Sequence, residues 1–373
     1  MTHGKSMTVA VIGGGPAGAS TALELARLGI DTVLIERSDG SGNPIGECLA
    51  PSANTLFLRP GLDDVLRSSG SLPSYGNRSS WGGEGRAASR DFLREPFGNG
   101  WHLDRPAFNR ALLNAVERAG VTVMRERRVT SLERTGGGWR IATTSPEGDG
   151  PVDAGFLVDA SGRRAFVARQ EGVRRRILDS QVAAVAVLDA PGHAVPMQDA
   201  TTLVEAAASG WWYAALLPTR RLVVAWFSDP DLLAKGAAWR PAEWWDLLGA
   251  SGLIGEVVTS HGLEIPQRIR VVAAGSTLLT QPFGQGWIAV GDASAAYDPL
   301  SSHGIGSALT GGRSAVRAVA ASINGDRAAF EGYRDRLFAD YAHYLWMRRA
   351  YHADEQRWPH EPFWERRHGS IPP

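Results

Sequence analysis

A chain of 373 residues with 39 basic and 39 acidic side chains has enough core for about two domains and no electrostatic footprint for nucleic acid or an anionic membrane. At 43% hydrophobic and 21% charged residues it is too apolar for a disordered protein. Cys48 is the single thiol, which excludes an intrachain disulfide, argues against a thiolate metal centre and suits the cytoplasm; no run of about 20 apolar residues predicts a membrane span.

Thr8 to Ile12 reads as a short apolar strand, followed by Gly13-Gly14-Gly15-Pro16-Ala17-Gly18, a helical pattern through Leu28 and a second strand, Asp31 to Ile35, ending at Glu36. Asp104 is a candidate N-cap for a helix carrying Phe108, Leu112, Leu113 and Val116, which leads into a strand at Val121 to Met124. Another strand, Gly155 to Val158, runs into Asp159-Ala160-Ser161-Gly162. From Ile177 to Val272 the pattern turns to strands, at Gln181 to Leu188, Ala200 to Glu205, Trp211 to Leu217 and Leu222 to Phe227, with one helix signal around Glu243 to Leu248. Strand and glycine chemistry return at Trp287 to Gly291, before a small-residue helix from Gly304 to Ala321 and a helical pattern from Phe330 to Arg349. The expected architecture is α/β: a Rossmann-like domain from 1–78, 100–176 and 273–325, an inserted β-sheet substrate domain from 177–272 with 79–99, and a C-terminal helical segment, 326–373.

Gly13-x-Gly15-x-x-Gly18 stands between strand and helix, where a dinucleotide fingerprint belongs. Gly13 permits the tight turn, Gly15 lets a pyrophosphate approach the backbone, and Gly18 allows close helix–strand packing. Glu36, at the end of the next strand, can accept hydrogen bonds from an adenosine ribose. FAD and NAD share this fingerprint. His343, His352, His360 and His368 are too widely spaced for a metal site, and none is expected.

Residues 291 to 305, Gly-Asp-Ala-Ser-Ala-Ala-Tyr-Asp-Pro-Leu-Ser-Ser-His-Gly-Ile, resemble the second FAD motif of the p-hydroxybenzoate hydroxylase superfamily, and Asp159 to Gly162 and Arg105 resemble its other cofactor motifs. The resemblance implies FAD, bordered by Gly13, Gly15, Pro16, Ala17, Gly18, Glu36, Arg37, Gly46, Glu47, Cys48, Leu49, Arg105, Val129, Asp159, Gly162, Gly291, Asp292, Pro299, Gly304 and Ile305. Gly46-Glu47-Cys48-Leu49-Ala50-Pro51 and Gly210-Trp211-Trp212 are similar to segments of tryptophan-halogenase-like flavoproteins, and the tail Glu355 to Arg367 to a branch that oxidises peptidyl Trp during quinone-cofactor maturation. Those halogenases resemble one another in an active-site lysine; here lysine occurs only at positions 5 and 235. The resemblance therefore implies an FAD-dependent monooxygenase of an aromatic small molecule, or of a peptidyl or carrier-bound Trp, working through a flavin C4a-hydroperoxide. O₂ is the expected co-substrate, and NAD(P)H or a partner flavin reductase the electron donor.

His303, Trp211, Trp212, Glu47 and Asp298 are the candidate catalytic residues: His303 as a proton donor or a structural hydrogen-bonder, Asp298 as a base or a loop cap, the tryptophans as a roof over the flavin. Cys48 is expected to be an unreactive stand-in for the family's Ser. A reductase resembling geranylgeranyl reductases, a halogenase, and a nonenzymatic protein resembling prenyl-protein escorts are the alternatives.

Overall fold

The computed structural model describes residues 7–39, 47–83, 87–92, 94–189, 200–302, 304–323, 326 and 328–369. The glycine turn organises the first of two large sheets among these residues. Strand Val9–Ile12 is fully buried and pairs in parallel with Thr32–Ile35 on one side and Phe156–Asp159 on the other. Thr122–Met124 and Trp287–Ala289 extend the parallel array at either end, and Phe283–Gly284 closes it antiparallel, giving a six-stranded sheet. Parallel strands buried on both faces read as continuous apolar runs, which is why VAVI, TVLI and FLVD are legible in the sequence.

Helices Pro16–Arg27, Arg105–Arg118 and Gly304–Ile323 cover one face of this sheet. Two of them meet almost backbone to backbone: a Cβ on Gly312 would lie 2.9 Å from Thr21 N, and Ser20 Oγ donates to Leu309 O at 2.6 Å. The other face is covered by an antiparallel meander, Arg128–Thr135, Gly138–Thr144 and Gly150–Ala154, whose Trp139 and Ile141 enter the core. The sequence reading has no strands here. Arg128–Thr135 is exposed along most of its length, so it lacks the apolar alternation that marks a half-buried strand.

The second sheet has seven strands, in the order Arg270–Ala273, Val182–Leu188, Leu222–Ser228, Gly210–Leu216, Thr202–Ala207, Gly76–Ser80 and Ala88–Asp91. Its outer face packs on helices Pro241–Gly249 and Leu253–Ser260. Leu253–Ser260 carries Ile and Val and gives no helical signal of its own; its first turn is held by Glu205, whose carboxylate accepts from Gly252 N at 2.7 Å and Ile254 N at 3.0 Å. The inner face turns toward the first sheet, and the C-terminal helix Pro362–His368 packs on it through Phe363 and Trp364. Arg367 anchors that helix to Asp229 at 2.8 Å. None of the helices among the described residues is long and apolar enough to cross a membrane.

Candidate active site: a cofactor cleft and an adjoining cavity

The glycine loop lines a cleft of about 600 Å³ together with Glu36, Arg37, Arg105, Arg127, Arg128, Val129, Gly162, Arg164 and Arg270. Each glycine has a separate steric reason. Gly13 sits at φ +109°, and a Cβ there would lie 2.3 Å from Ala160 O. A Cβ on Gly18 would lie 1.8 Å from Gly13 O. Around Gly15 a Cβ would meet nothing within 4 Å, so its backbone faces open space at the start of helix Pro16–Arg27. Pro16 is the first residue of that helix and Ala17 is buried behind it, so both shape the turn.

Glu36 accepts from Gly14 N at 2.5 Å and from Ser38 N and Oγ at 2.9 and 2.8 Å, which fixes the carboxylate at the cleft wall. Among the described residues Arg37, Arg127, Arg128 and Arg164 have no carboxylate within ion-pairing distance, so the cleft keeps an excess of positive charge. An open glycine cradle at a helix N-terminus, surrounded by guanidinium groups, fits the pyrophosphate of a dinucleotide.

Asp292, which the sequence reading placed at the cofactor, is not in the lining of the cleft or of the adjoining cavity and lies 3.7 Å from Arg163 Nε. Burial raises its pKa above the usual carboxylate value, while Arg163, Arg105 and Arg175 draw it back. Gly291, at φ +58°, leaves no room for a side chain, since a Cβ would lie 2.6 Å from Ala17 Cβ. Pro299 opens the short helical turn Pro299–Ser301, and Gly304 and Ile305 start the long helix, with Ile305 in the core. Gly46 and His303 lie outside the described residues.

A second cavity, of about 700 Å³, adjoins the cleft and shares Arg105 and Arg270 with it. Glu47, Leu103 and Pro106 form one wall, Val185 and Val223 of the seven-stranded sheet with Val187 and the adjoining Leu217 another, and residues 264–268 a third. Arg105 is buried between the two spaces; burial lowers its pKa below the ordinary guanidinium value, and Glu47 and Asp292 offset part of that. Neither cavity is lined by lysine, and Lys235 is exposed at the end of helix Pro230–Lys235.

Four of the expected site residues are placed otherwise. Asp159 is fully buried and spends both oxygens on the chain: Oδ1 accepts from Ser161 N and Oγ, and Oδ2 from Val167 N and Ala168 N. It therefore builds the loop that carries Gly162 and does not line the cleft. Asp298 is clamped by Arg348 Nε at 3.1 Å and caps Leu300 N at 2.9 Å, which is the loop-cap placement of the two its sequence offered. Arg348 also reaches Asp179 at 3.0 Å, which ties the 298–302 turn to the helix Ala328–Asp354. Leu49 points into the core.

Trp212 faces the outer side of its sheet, against Trp226 and Trp244 at ring distances of 4.8 and 5.2 Å, because successive strand residues alternate in direction. Trp211 does face inward, but it is buried and stacked on Phe227 at 4.0 Å. The inward residue with surface to offer is Tyr213, which the sequence reading passed over; the period of two along Gly210–Leu216 was the signal that could have found it. Tyr213 lies against Cys48, with its hydroxyl 2.9 Å from Sγ.

Burial pushes the Cys48 thiol from its ordinary 9.0 up to about 11, against the pull of hydrogen bonds from Thr202 and Tyr213. The folded chain thus holds this proton more tightly than the unfolded one. That contribution to stability is whole below pH 9.0 and is lost as the pH rises to about 11. Urea midpoints measured across this range are expected to fall more steeply for the native chain than for Cys48→Ser; parallel curves would contradict the shift.

Fold and cleft together define a dinucleotide-binding oxidoreductase with a sheet-walled cavity beside its cofactor site. The chain belongs to the FAD binding domain family, which it matches over residues 6–335. It is an FAD-dependent enzyme of that oxidoreductase family. It is 31% identical over 369 residues to the "Putative FAD-dependent oxidoreductase LodB" of Marinomonas mediterranea, covering 98% of this chain and 97% of the relative. A tryptophan 2-halogenase of Chondromyces crocatus is 28% identical over 86% of this chain and 62% of its own length. The solved structure of QhpG, a peptidyl tryptophan dihydroxylase essential for tryptophylquinone cofactor biogenesis, superposes with a TM-score of 0.81 at 26% identity, over 98% of this chain and 79% of that one.

Proposed function

We propose that the protein is an FAD-dependent monooxygenase that hydroxylates an aromatic ring, an indole borne on a peptide or carrier. O₂ is its co-substrate, and NAD(P)H or a partner flavin reductase its electron source, in the cytoplasm. The observation that carries this reading is the cavity of about 700 Å³ that meets the cofactor cleft at Arg105 and Arg270 and is lined by no lysine. Its rim residues Asp189, Arg221, Glu264 and Arg268 are exposed, which suits a ring presented by a larger molecule. The relation to QhpG and LodB supports the same choice.

Bound FAD would supply the reducing equivalents and the activation of oxygen. The chain supplies position. The glycine cradle and its arginines hold the dinucleotide, Arg348 fixes the Asp298 turn, and the apolar strand wall of Val185, Val187 and Val223 shields a bound ring from water. Holding the ring in register with the oxygen donor is worth several powers of ten in rate without any protein nucleophile.

Turnover under labelled dioxygen tests the reading: the product is expected to gain one labelled oxygen, whereas a gain of two hydrogens would establish a reductase in its place. Turnover is also expected to be indifferent to chloride and bromide. A halogenated product seen by mass spectrometry would overturn the proposal.

A further inference from the structure

The seven-stranded sheet has two unlike edges. Ala88–Asp91 is exposed at every residue and carries Arg90, paired to Glu95 at 2.6 Å, and Asp91. Charged side chains on an edge strand discourage a further chain from adding to it. Arg270–Ala273, at the opposite edge, has no proline, and its pairing with Val182–Val185 runs without a bulge. Val271, 46% exposed, and Ala273 face solvent, and Ile265, 49% exposed, stands shortly before the strand.

The backbone of this edge is open as well. Antiparallel partners alternate between pairs that exchange hydrogen bonds and pairs that do not. Ala274 N donates to Gln181 O at 2.8 Å, so in the same register Val272 with Ala183 and Arg270 with Val185 are the bonded pairs. Val271 and Ala273, opposite Ala184 and Val182, therefore turn their N–H and C=O groups off the sheet, and no hydrogen bond among the described residues reaches them. Donors and acceptors in this spacing match the backbone of an extended peptide.

The same strand borders the cavity. Arg270 faces the inner side, where it lines both the cofactor cleft and the cavity of about 700 Å³, and Val272 packs on that inner face. Exposed Glu264, Ile265 and Arg268 line the cavity and lead directly into the strand, so the cavity opens beside this edge. A chain laid along the edge at the usual strand spacing of about 5 Å sends every second side chain to the inner face, beside Arg270.

We propose that the edge Arg270–Ala273 receives an extended peptide as an eighth strand of the sheet, and that one inward side chain of that peptide, an aromatic one, enters the cavity beside Arg270. This deepens the reading above and rests on it for the aromatic ring that the cavity takes. Backbone pairing along the edge supplies affinity, and the cavity supplies the choice of side chain.

The probe is a dye-labelled heptapeptide of alternating threonine and valine with a central tryptophan, and its binding to the FAD-loaded protein is followed by fluorescence anisotropy. Val271→Pro removes an N–H that points off the sheet and leaves the bonds to Val182–Val185 in place, a change that an edge strand tolerates. The variant is expected to keep its FAD and its melting temperature and to bind the peptide about tenfold more weakly. A second measurement leaves the protein untouched. N-methylation of alternate residues of the peptide is expected to weaken binding about tenfold for one set and less than about twofold for the other, since an added strand turns only one set of N–H groups to the edge. Equal effects of the two sets, no binding at millimolar concentration, or native affinity in a folded Val271→Pro protein overturns the proposal. Labelled oxygen reaching an indole while the edge fails these tests would leave the monooxygenase reading standing. A peptide held at the edge with no oxygen transfer would remove that reading and keep this one.

Discussion

A Gly15→Val variant is expected to fold normally and to be purified without FAD. The contrast among three neighbouring glycines makes the prediction specific. At Gly13 a side chain would strike Ala160 O and at Gly18 it would strike Gly13 O, so substitutions there break the strand–helix junction itself. Gly15 has φ −69° and an empty surrounding, which an L-residue tolerates. A Cβ there meets nothing within 4 Å, and a valine side chain occupies the space that a pyrophosphate must enter. Circular dichroism and thermal melting should match those of native apoprotein, and flavin absorbance per chain should fall to background. Normal FAD content in a folded Gly15→Val protein would remove the cradle from the cofactor site.

Trp212→Ala is expected to cost about 3–5 kcal/mol of stability, the range for truncating a fully buried large aromatic side chain. Trp212 is 1% exposed and packs with Trp226 and Trp244 beneath the two outer helices, where no relaxation of a surface loop can fill the void. Those molecules that remain folded should keep FAD and a native yield of hydrogen peroxide, because the inner face of the sheet is untouched. The urea midpoint measures the first effect and a peroxide assay the second. Unchanged stability with a rise in peroxide would return Trp212 to the flavin side of the sheet.

The two effects divide as they do because one residue guards the cofactor and the other guards the fold. Arg348 lies between these cases. It neutralises Asp298 and Asp179 at the turn beside the cofactor motif, and a partner lost from such a buried set leaves carboxylates without compensation.

What the sequence determined by itself was the nucleotide-binding half of the molecule. A tight turn at φ +109° and a helix packed against a strand are demands made within a few residues, so the glycines at 13, 15 and 18 declare them directly. Fully buried parallel strands declare themselves in the same way, whereas the Gly291-Asp292 turn was legible through its resemblance to a known FAD motif. The meander at 128–154 did not: its first strand, Arg128–Thr135, is mostly exposed and turns only Val129 and Leu132 toward the core, which leaves little hydrophobic period to read there.

The tertiary structure alone decided the rest. Asp159 reads in the sequence as a cofactor ligand and Asp298 as a base or a loop cap, and only the fold brings Val167 and Ala168 to the first carboxylate and Arg348 to the second. Trp211 and Trp212 are adjacent in the chain and belong to opposite faces of a sheet. Cys48 and Tyr213 are 165 positions apart and share a hydrogen bond. Local sterics are written in consecutive residues, whereas contacts between residues far apart in the chain, such as His102 Nδ1 with Leu216 O, exist only in the folded molecule.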